Sequence, residues 1–233
     1  MNISYLVTCH NEVAELERLL SQLYSAISKT DDEIVILDDF SDNEDTRRML
    51  AFHPLFSTSS KLGRVIQHKL SNDFGTHKTF GSRQCTGDYI VQLDADEYLS
   101  QSLLENIHEI IESNPTVELY RLPRVNIVRN ATTDDAKKWG WQVTKLPEFG
   151  DLPIINWGNG GNGGDYQSRI YKNTEKIKWH KPLHETIVGA SIVTHLPKEV
   201  DYAIIHDKTI QRQTQQNIRY NTEWSEKENR GIG

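Results

Sequence analysis

Three carboxylates arrive within four positions in the stretch YIVQLDADEYL: Asp94, Asp96 and Glu97. They follow a mostly apolar run that reads as a strand entering the interior. Carboxylates this close repel one another and resist desolvation unless a cation or a set of hydrogen-bond donors compensates them. A D-x-D at a strand terminus suits a hard divalent cation, because it offers oxygen ligands and leaves positions for water and phosphate. Residues i and i+2 of a strand face the same way, so the spacing predicts that Asp94 and Asp96 share one ion. A solvated acidic turn leading into the helix of SQSLLENI serves the bare motif equally well. An EF-hand is excluded, since the loop has no Asx at its fifth position and no glycine at its sixth.

The elements around this stretch set where such a site opens. ISYLVT reads as a strand, EVAELERLLSQLYSAI as a helix with Leu16, Leu19, Leu20, Leu23 and Ile27 at helical spacing, and EIVILDD as a second strand. NEDTRRMLAFH fits a short helix, GRVIQHKL a third strand, and HKTFGSRQCT a helix ending at Gly87. Strands alternating with helices predict an α/β fold with right-handed crossovers and a mostly parallel central sheet. Ligands of such sheets gather beyond the carboxyl ends of the strands. That rule selects Thr8–Glu12, Asp38–Asp45 and Asp94–Glu97 as the walls of one cleft.

Beyond the helix of SLLENIHEIIESNP the grammar changes. VELYRLPRVNIVRN suggests a strand, and 131–165, rich in Trp, Gly and Pro, reads as a long functional loop. RIYK, KIKWH, ASIVTHL and YAIIH follow as short strands, and TIQRQTQQNIRYNTEW as a weakly apolar helix face. These strands predict a smaller distal sheet on the acceptor side. Within the loop, NWGNGGNGG suits either a plain linker or a mobile cover that excludes water. Trp139, Trp141 and Trp157 are placed to stack on a sugar ring or to pack a satellite core.

Composition narrows the classes. The chain has 233 residues, enough for one sizeable domain, 1–233, whose grammar changes between a first part at 1–99 and a second at 100–233. Its net charge of −7 argues against nucleic acid or anionic lipid as a partner, for want of excess Lys and Arg to release counterions. It has no apolar run long enough to span a bilayer and no basic, secretory-type N-terminus, so the expectation is a cytoplasmic protein without an integral membrane segment. The two cysteines, Cys9 and Cys85, suggest neither a disulfide framework nor a thiolate metal site.

The three strand-end motifs together resemble the family 2 glycosyltransferases, enzymes of the Rossmann-like GT-A fold that use nucleotide-sugars. Thr8, Asn11 and Glu12 match T-x-x-N-E; Leu37, Asp38, Asp39 and Ser41 match V-D-D-x-S; Leu93 to Asp96 match L-D-A-D in full. The segments KTFGSRQCTGDY and RIYKNTEKIKWHKPLHE resemble those of the lipopolysaccharide-core glucosyltransferase-like subgroup. Phe40, Thr79 and Leu183 depart from that pattern, where glycine, asparagine and valine are usual.

The resemblance implies a UDP-sugar donor, with glucose or galactose the expected sugar, and a glycan or lipid-linked glycan acceptor. Asp39 and Glu12 would accept hydrogen bonds from uracil and ribose. Thr8, Cys9, Asn11 and Ala95 would line the nucleotide, and Lys78 or Arg83 would reach the uracil or a phosphate, unless both sit on a solvated helix face. Asp94 would face ribose and metal, and Asp96 would hold the Mn2+ or Mg2+ that bridges the diphosphate. His206 would be a third metal ligand, with Asp207 its rival. Glu185 would act as the base of an inverting transfer, and His184 would orient the acceptor or the phosphates. Two rivals remain: a haloacid-dehalogenase-like phosphatase, whose nucleophile also lies in a D-x-D, and a nucleotide-sugar binding protein without turnover.

Overall fold

The computed structural model describes residues 1–57, 60, 62–157 and 165–225. The first elements are β1 (Ile3–Cys9), α1 (Ala14–Ile27), β2 (Glu33–Asp38), α2 (Glu44–Phe52), β3 (Gly63–Gln67), α3 (Phe74–Ser82) and β4 (Tyr89–Asp94). Then come β5 (Glu97–Leu99), α4 (Gln101–Glu112), β6 (Leu119–Arg129), α5 (Thr133–Trp139), β7 (Val143–Thr144) and β8 (Ile154–Ile155). The chain continues through β9 (Tyr166–Lys172), β10 (Lys178–His180), β11 (Thr186–Val188), β12 (Val193–His195), β13 (Ile204–Thr209) and α6 (Ile210–Glu223).

Among the described residues the main sheet runs β3–β2–β1–β4–β9–β6–β13–β5, with β12 and β8 also on β6 and β7 on β8. The first four strands are parallel, as the alternating grammar predicts. β9 then enters antiparallel between β4 and β6. The distal strands therefore extend the central sheet, and only the β10–β11 ribbon stands apart from it. β1 shows why its neighbours are apolar throughout. Tyr5 and Val7 join α1 and α4 in one cluster, while Leu6 joins Val35, Leu37 and Trp179 in another, so both faces of the sheet are covered.

Helix starts follow side-chain caps. Asp73 accepts from the Thr76 amide at 2.8 Å, which begins α3 at Phe74, three residues before the apolar pattern suggested. Residues 131–165 are not a structureless loop in their described part: they hold α5, β7 and β8. Thr132 and Asp135 form a reciprocal capping box, and Gly140 ends α5 at φ 65°.

α3 is pressed into place by glycines. A Cβ on Gly81 would meet Leu6 and Leu37 at 2.9 Å, and one on Gly75 would stand 2.6 Å from the Lys181 carbonyl. The helix can therefore lie directly on the sheet and on the segment leading to residue 185, to which the Phe74 and Gly75 amides are hydrogen-bonded.

At the amino ends of the parallel strands, buried Glu33 ties three elements. Its Oε1 accepts from Ser4 Oγ at 2.6 Å and from the Thr86 amide at 2.7 Å, and its Oε2 pairs with Arg64. Burial opposes ionisation of Glu33, but those donors outweigh it and hold the carboxyl below its usual range. The stabilisation this gives is present above the ordinary glutamate pKa and is lost as pH falls through the lowered value. Glu33→Gln should thus cost about 2 kcal/mol at pH 7 in urea unfolding. The gap to wild type should close progressively below about pH 4; a gap that is constant with pH would show that ionisation of Glu33 contributes nothing.

Candidate active site

The carboxyl ends of β1, β2 and β4 open into a cleft of about 990 Å³, whose far wall is made by β6, β9, β13 and α6. Its electrostatics centre on the carboxylates of DADE. The chain turns at Ala95 and Asp96, leaving β4 and entering β5, which pairs with β13. This turn breaks the strand alternation, and Asp94 and Asp96, which both line the cleft, take separate partners.

Asp94 Oδ1 accepts from Thr8 Oγ1 at 2.7 Å, from Gln92 Nε2 at 3.0 Å and from Lys78 Nζ at 3.0 Å. Its Oδ2 lies 3.1 Å from Arg169. Burial pushes its pKa up, yet Lys78 and Arg169 outweigh this and hold it well below the usual range. Its side chain keeps 35% exposure toward the cleft. Buried Glu97 takes Arg169 at 2.8 Å, with Arg124 at 3.7 Å.

Asp96 faces the other way. Its Oδ2 lies 3.2 Å from His206 Nε2 and 3.7 Å from Arg212, which together hold it ionised against the effect of burial. His206 Nδ1 is 3.2 Å from Asn126 Oδ1, so Nδ1 carries the proton and Nε2 is the nitrogen turned to Asp96. A cation between Nε2 and Oδ2, a proton or a metal ion, satisfies both groups. One carboxylate and one imidazole oriented from behind are a chemically suitable pair for Mn2+ or Mg2+. Among the described residues no group of three His, Cys, Asp or Glu side chains is arranged to hold a metal. Asp207 is not part of this pair: it points to the opposite side of β13, to Arg129 at 2.7 Å and Arg18 at 3.3 Å.

Lys78 is not on a solvated face. It is 1% exposed, with Glu185 Oε1 at 2.6 Å, Asp94 at 3.0 Å and the Trp179 ring at 5.0 Å. Burial opposes its charge, but the two carboxylates raise its pKa, and Lys78 in turn lowers that of Glu185 against burial. His184 lines the cleft in a left-handed conformation, φ 52°, with Tyr220 edge-on to its ring.

The cleft is also lined by Thr8, Cys9, Asp39, Leu70, Phe74, His77 and Ala95. Asp39 Oδ1 is taken by the Leu70 amide at 2.8 Å, and Oδ2 lies 3.9 Å from the His10 ring. Glu12 accepts from the His10 amide at 2.6 Å and from Arg212 at 2.6 Å, and burial pushes it up to about 7. Burial, with His68 beside it, pushes His77 down to about 4. Asn11 and Arg83 do not line the cleft. Asn11 braces the loop after β2, accepting the Asp42 and Asn43 amides, and Arg83 donates to the carbonyls of Thr174 and Glu175. Phe40 takes φ 48°, which is why a glycine suits its position.

Sequence reasoning missed the cations that balance this cleft. Arg169 opens the RIYK strand, Arg124 lies on β6, and Lys208 and Arg212 flank the start of α6. An arginine at the head of an otherwise buried strand was the one available signal for Arg169. Burial pushes Lys208 down to about 8. Of the tryptophans, Trp141 lines the cleft with Trp139 tilted against it, whereas Trp157 packs on a core cluster under Lys198. The glycines of NWGNGGNGG, at 158–164, lie outside the described residues.

Removing one member of a buried ion pair leaves the others uncompensated. Lys78→Met is expected to lower stability by about 3 kcal/mol in urea unfolding. Adding Glu185→Gln should recover part of the loss, and a Lys78→Met midpoint equal to wild type would show that Lys78 does not carry this balance.

The sequence model of Glycosyl transferase family 2 matches residues 4–185. No curated protein sequence matches the chain significantly. Among solved structures, S. aureus TarS residues 1–349 aligns with a TM-score of 0.57 at 14% identity, covering 98% of this chain and 68% of that one. The same protein in complex with UDP-GlcNAc gives 0.57 at 14% identity, over 88% and 58%. A longer TarS structure gives 0.56 at 15% identity over 98% of this chain, which spans 41% of it. Identities this low speak for the fold alone. The match of the family's sequence model over most of the length carries the assignment: the chain belongs to glycosyl transferase family 2 and is a glycosyltransferase.

Proposed function

We propose that this glycosyltransferase moves a sugar from a UDP-sugar to a hydroxyl of a glycan or lipid-linked glycan, with inversion and with Mn2+ or Mg2+. The observation that carries the reading is a single cleft joining Asp39, the Asp96–His206 pair and the Lys78-bound Glu185. The TarS structure with UDP-GlcNAc is consistent with a UDP-linked donor. The subgroup-like segments favour glucose or galactose as its sugar. No helix among the described residues is long and apolar enough to cross a membrane.

In this reading Asp39 Oδ2 takes a donor from the uracil, and Thr8, Cys9 and Ala95 line the nucleotide. Asp94, held ionised by Lys78 and Arg169, accepts from the ribose through its exposed edge. Asp96 and His206 would hold the divalent ion, which when bound neutralises charge on the diphosphate leaving group. Glu185 Oε1 is anchored by Lys78, so Oε2 receives the proton of the acceptor hydroxyl. The acceptor oxygen bonds to the anomeric carbon as the bond from that carbon to the diphosphate breaks. His184 borders the path of the incoming hydroxyl.

UDP release from a panel of UDP-sugars, with Mn2+ and with EDTA, tests the assignments. Glu185→Gln should retain donor binding and lower turnover by about 10²–10⁴-fold. Asp96→Ala should lose metal-dependent donor binding. Near-wild-type turnover in Glu185→Gln would remove Glu185 as the base.

A further inference from the structure

Most charged groups of the cleft are matched internally. Lys78, Arg124, Arg169, Arg212 and Arg219 each have a carboxylate within 4.0 Å. Lys208 does not. It is 9% exposed, lines the same cleft, and among the described residues its ammonium makes one hydrogen bond, to the neutral Gln216 Oε1 at 2.8 Å. Charges of both signs surround it, with Asp96 and Glu97 favouring the ammonium and Arg124 and Arg212 opposing it. A buried ammonium without a counter-ion is unfavourable, so a fold that keeps one beside a ligand cleft leaves its compensation to the ligand.

Position defines what that ligand offers. β13 alternates, so Asp207 turns away to Arg129 and Arg18 while His206 and Lys208 both line the cleft. Lys208 is thus two residues along the strand from the imidazole paired with Asp96. Resting on the donor reading above, we propose that Lys208 Nζ binds an oxygen of the nucleoside diphosphate and balances the charge of the leaving group. Gln216, itself donating to the Tyr220 hydroxyl at 2.8 Å, is the neutral partner that Lys208 exchanges for the phosphate oxygen.

Calorimetric titration of the full chain with UDP, GDP and uridine, each with Mn2+ and with EDTA, tests this on wild type, Lys208→Met and Lys208→Arg. The methionine variant should bind UDP about ten-fold or more weakly, in EDTA as well as in Mn2+. Its affinity for uridine, which has no phosphate, should be unchanged, and the arginine variant should retain most of the UDP affinity. Without ligand, Lys208→Met should melt no lower than wild type, because it removes a buried charge that nothing matches. Equal UDP affinity in wild type and Lys208→Met would overturn the inference and leave the donor reading standing. Equal weakening of uridine and UDP would assign Lys208 a structural role and likewise overturn it. Wild type that binds neither UDP nor GDP would overturn the donor reading and the inference with it.

Discussion

Asp94, Asp96 and Glu97 can be gathered at the end of one strand only because cations reach them from elsewhere in the chain. Arg169 spans Asp94 and Glu97, Lys78 adds to Asp94, and His206 with Arg212 faces Asp96. The topology follows from that demand. β9 enters antiparallel beside β4, which puts Arg169 against a carboxylate 75 residues away. β5 pairs with β13 in a register that sets His206 opposite Glu97, next to Asp96. Asp94 comes from the parallel half of the sheet, and Arg169 and His206 come from the mixed half.

The same balance joins the two parts of the chain. Lys78 touches Asp94, at the end of β4, and Glu185, which lies on the distal segment. Its position depends on α3 lying close to the 181–182 backbone, which Gly75 permits. α6 closes the other side with few apolar contacts. It is held by Arg212 on Glu12 and Glu15 and by the Trp224 ring, beyond its end, stacked on Phe74. Contacts of this kind are replaceable by a charged ligand at modest cost, whereas the apolar core beneath is not.

Much of this was legible from sequence. The leucines of α1, the parallel order of the first four strands and the three acidic strand ends follow from local period and from the rule for ligands of open sheets. The family motifs add Asp39, Asp94, Asp96 and Glu185 to one cleft, and the structure brings these four to it. What was not legible depends on long-range packing. The turn at Ala95–Asp96, which separates the two aspartates, has no glycine or proline to announce it. Lys78 reads as a residue that reaches the uracil or a phosphate, or else sits on a solvated face; that it is buried against Asp94 and Glu185 shows only once glycines are seen to press its helix inward. Arg124, Arg169 and Lys208 sit on strands whose order cannot be read from local pattern. The elements of 133–155 were readable in principle: T-x-x-D and Gly140 bracket α5, but the Trp, Gly and Pro around them suggested a loop.

The central claim is that the acids of this cleft, matched internally, are arranged for a nucleoside diphosphate and a divalent ion. The most direct measurement is thermal unfolding of the wild-type chain with UDP, UDP-glucose, UDP-galactose, UDP-N-acetylglucosamine and GDP-mannose, each with Mn2+ and with EDTA. Binding to the native state raises the melting temperature in proportion to the logarithm of ligand concentration over Kd. The account predicts a rise with UDP and at least one UDP-sugar that is larger in Mn2+ than in EDTA. No rise with any nucleotide, at millimolar concentration in either condition, would contradict it.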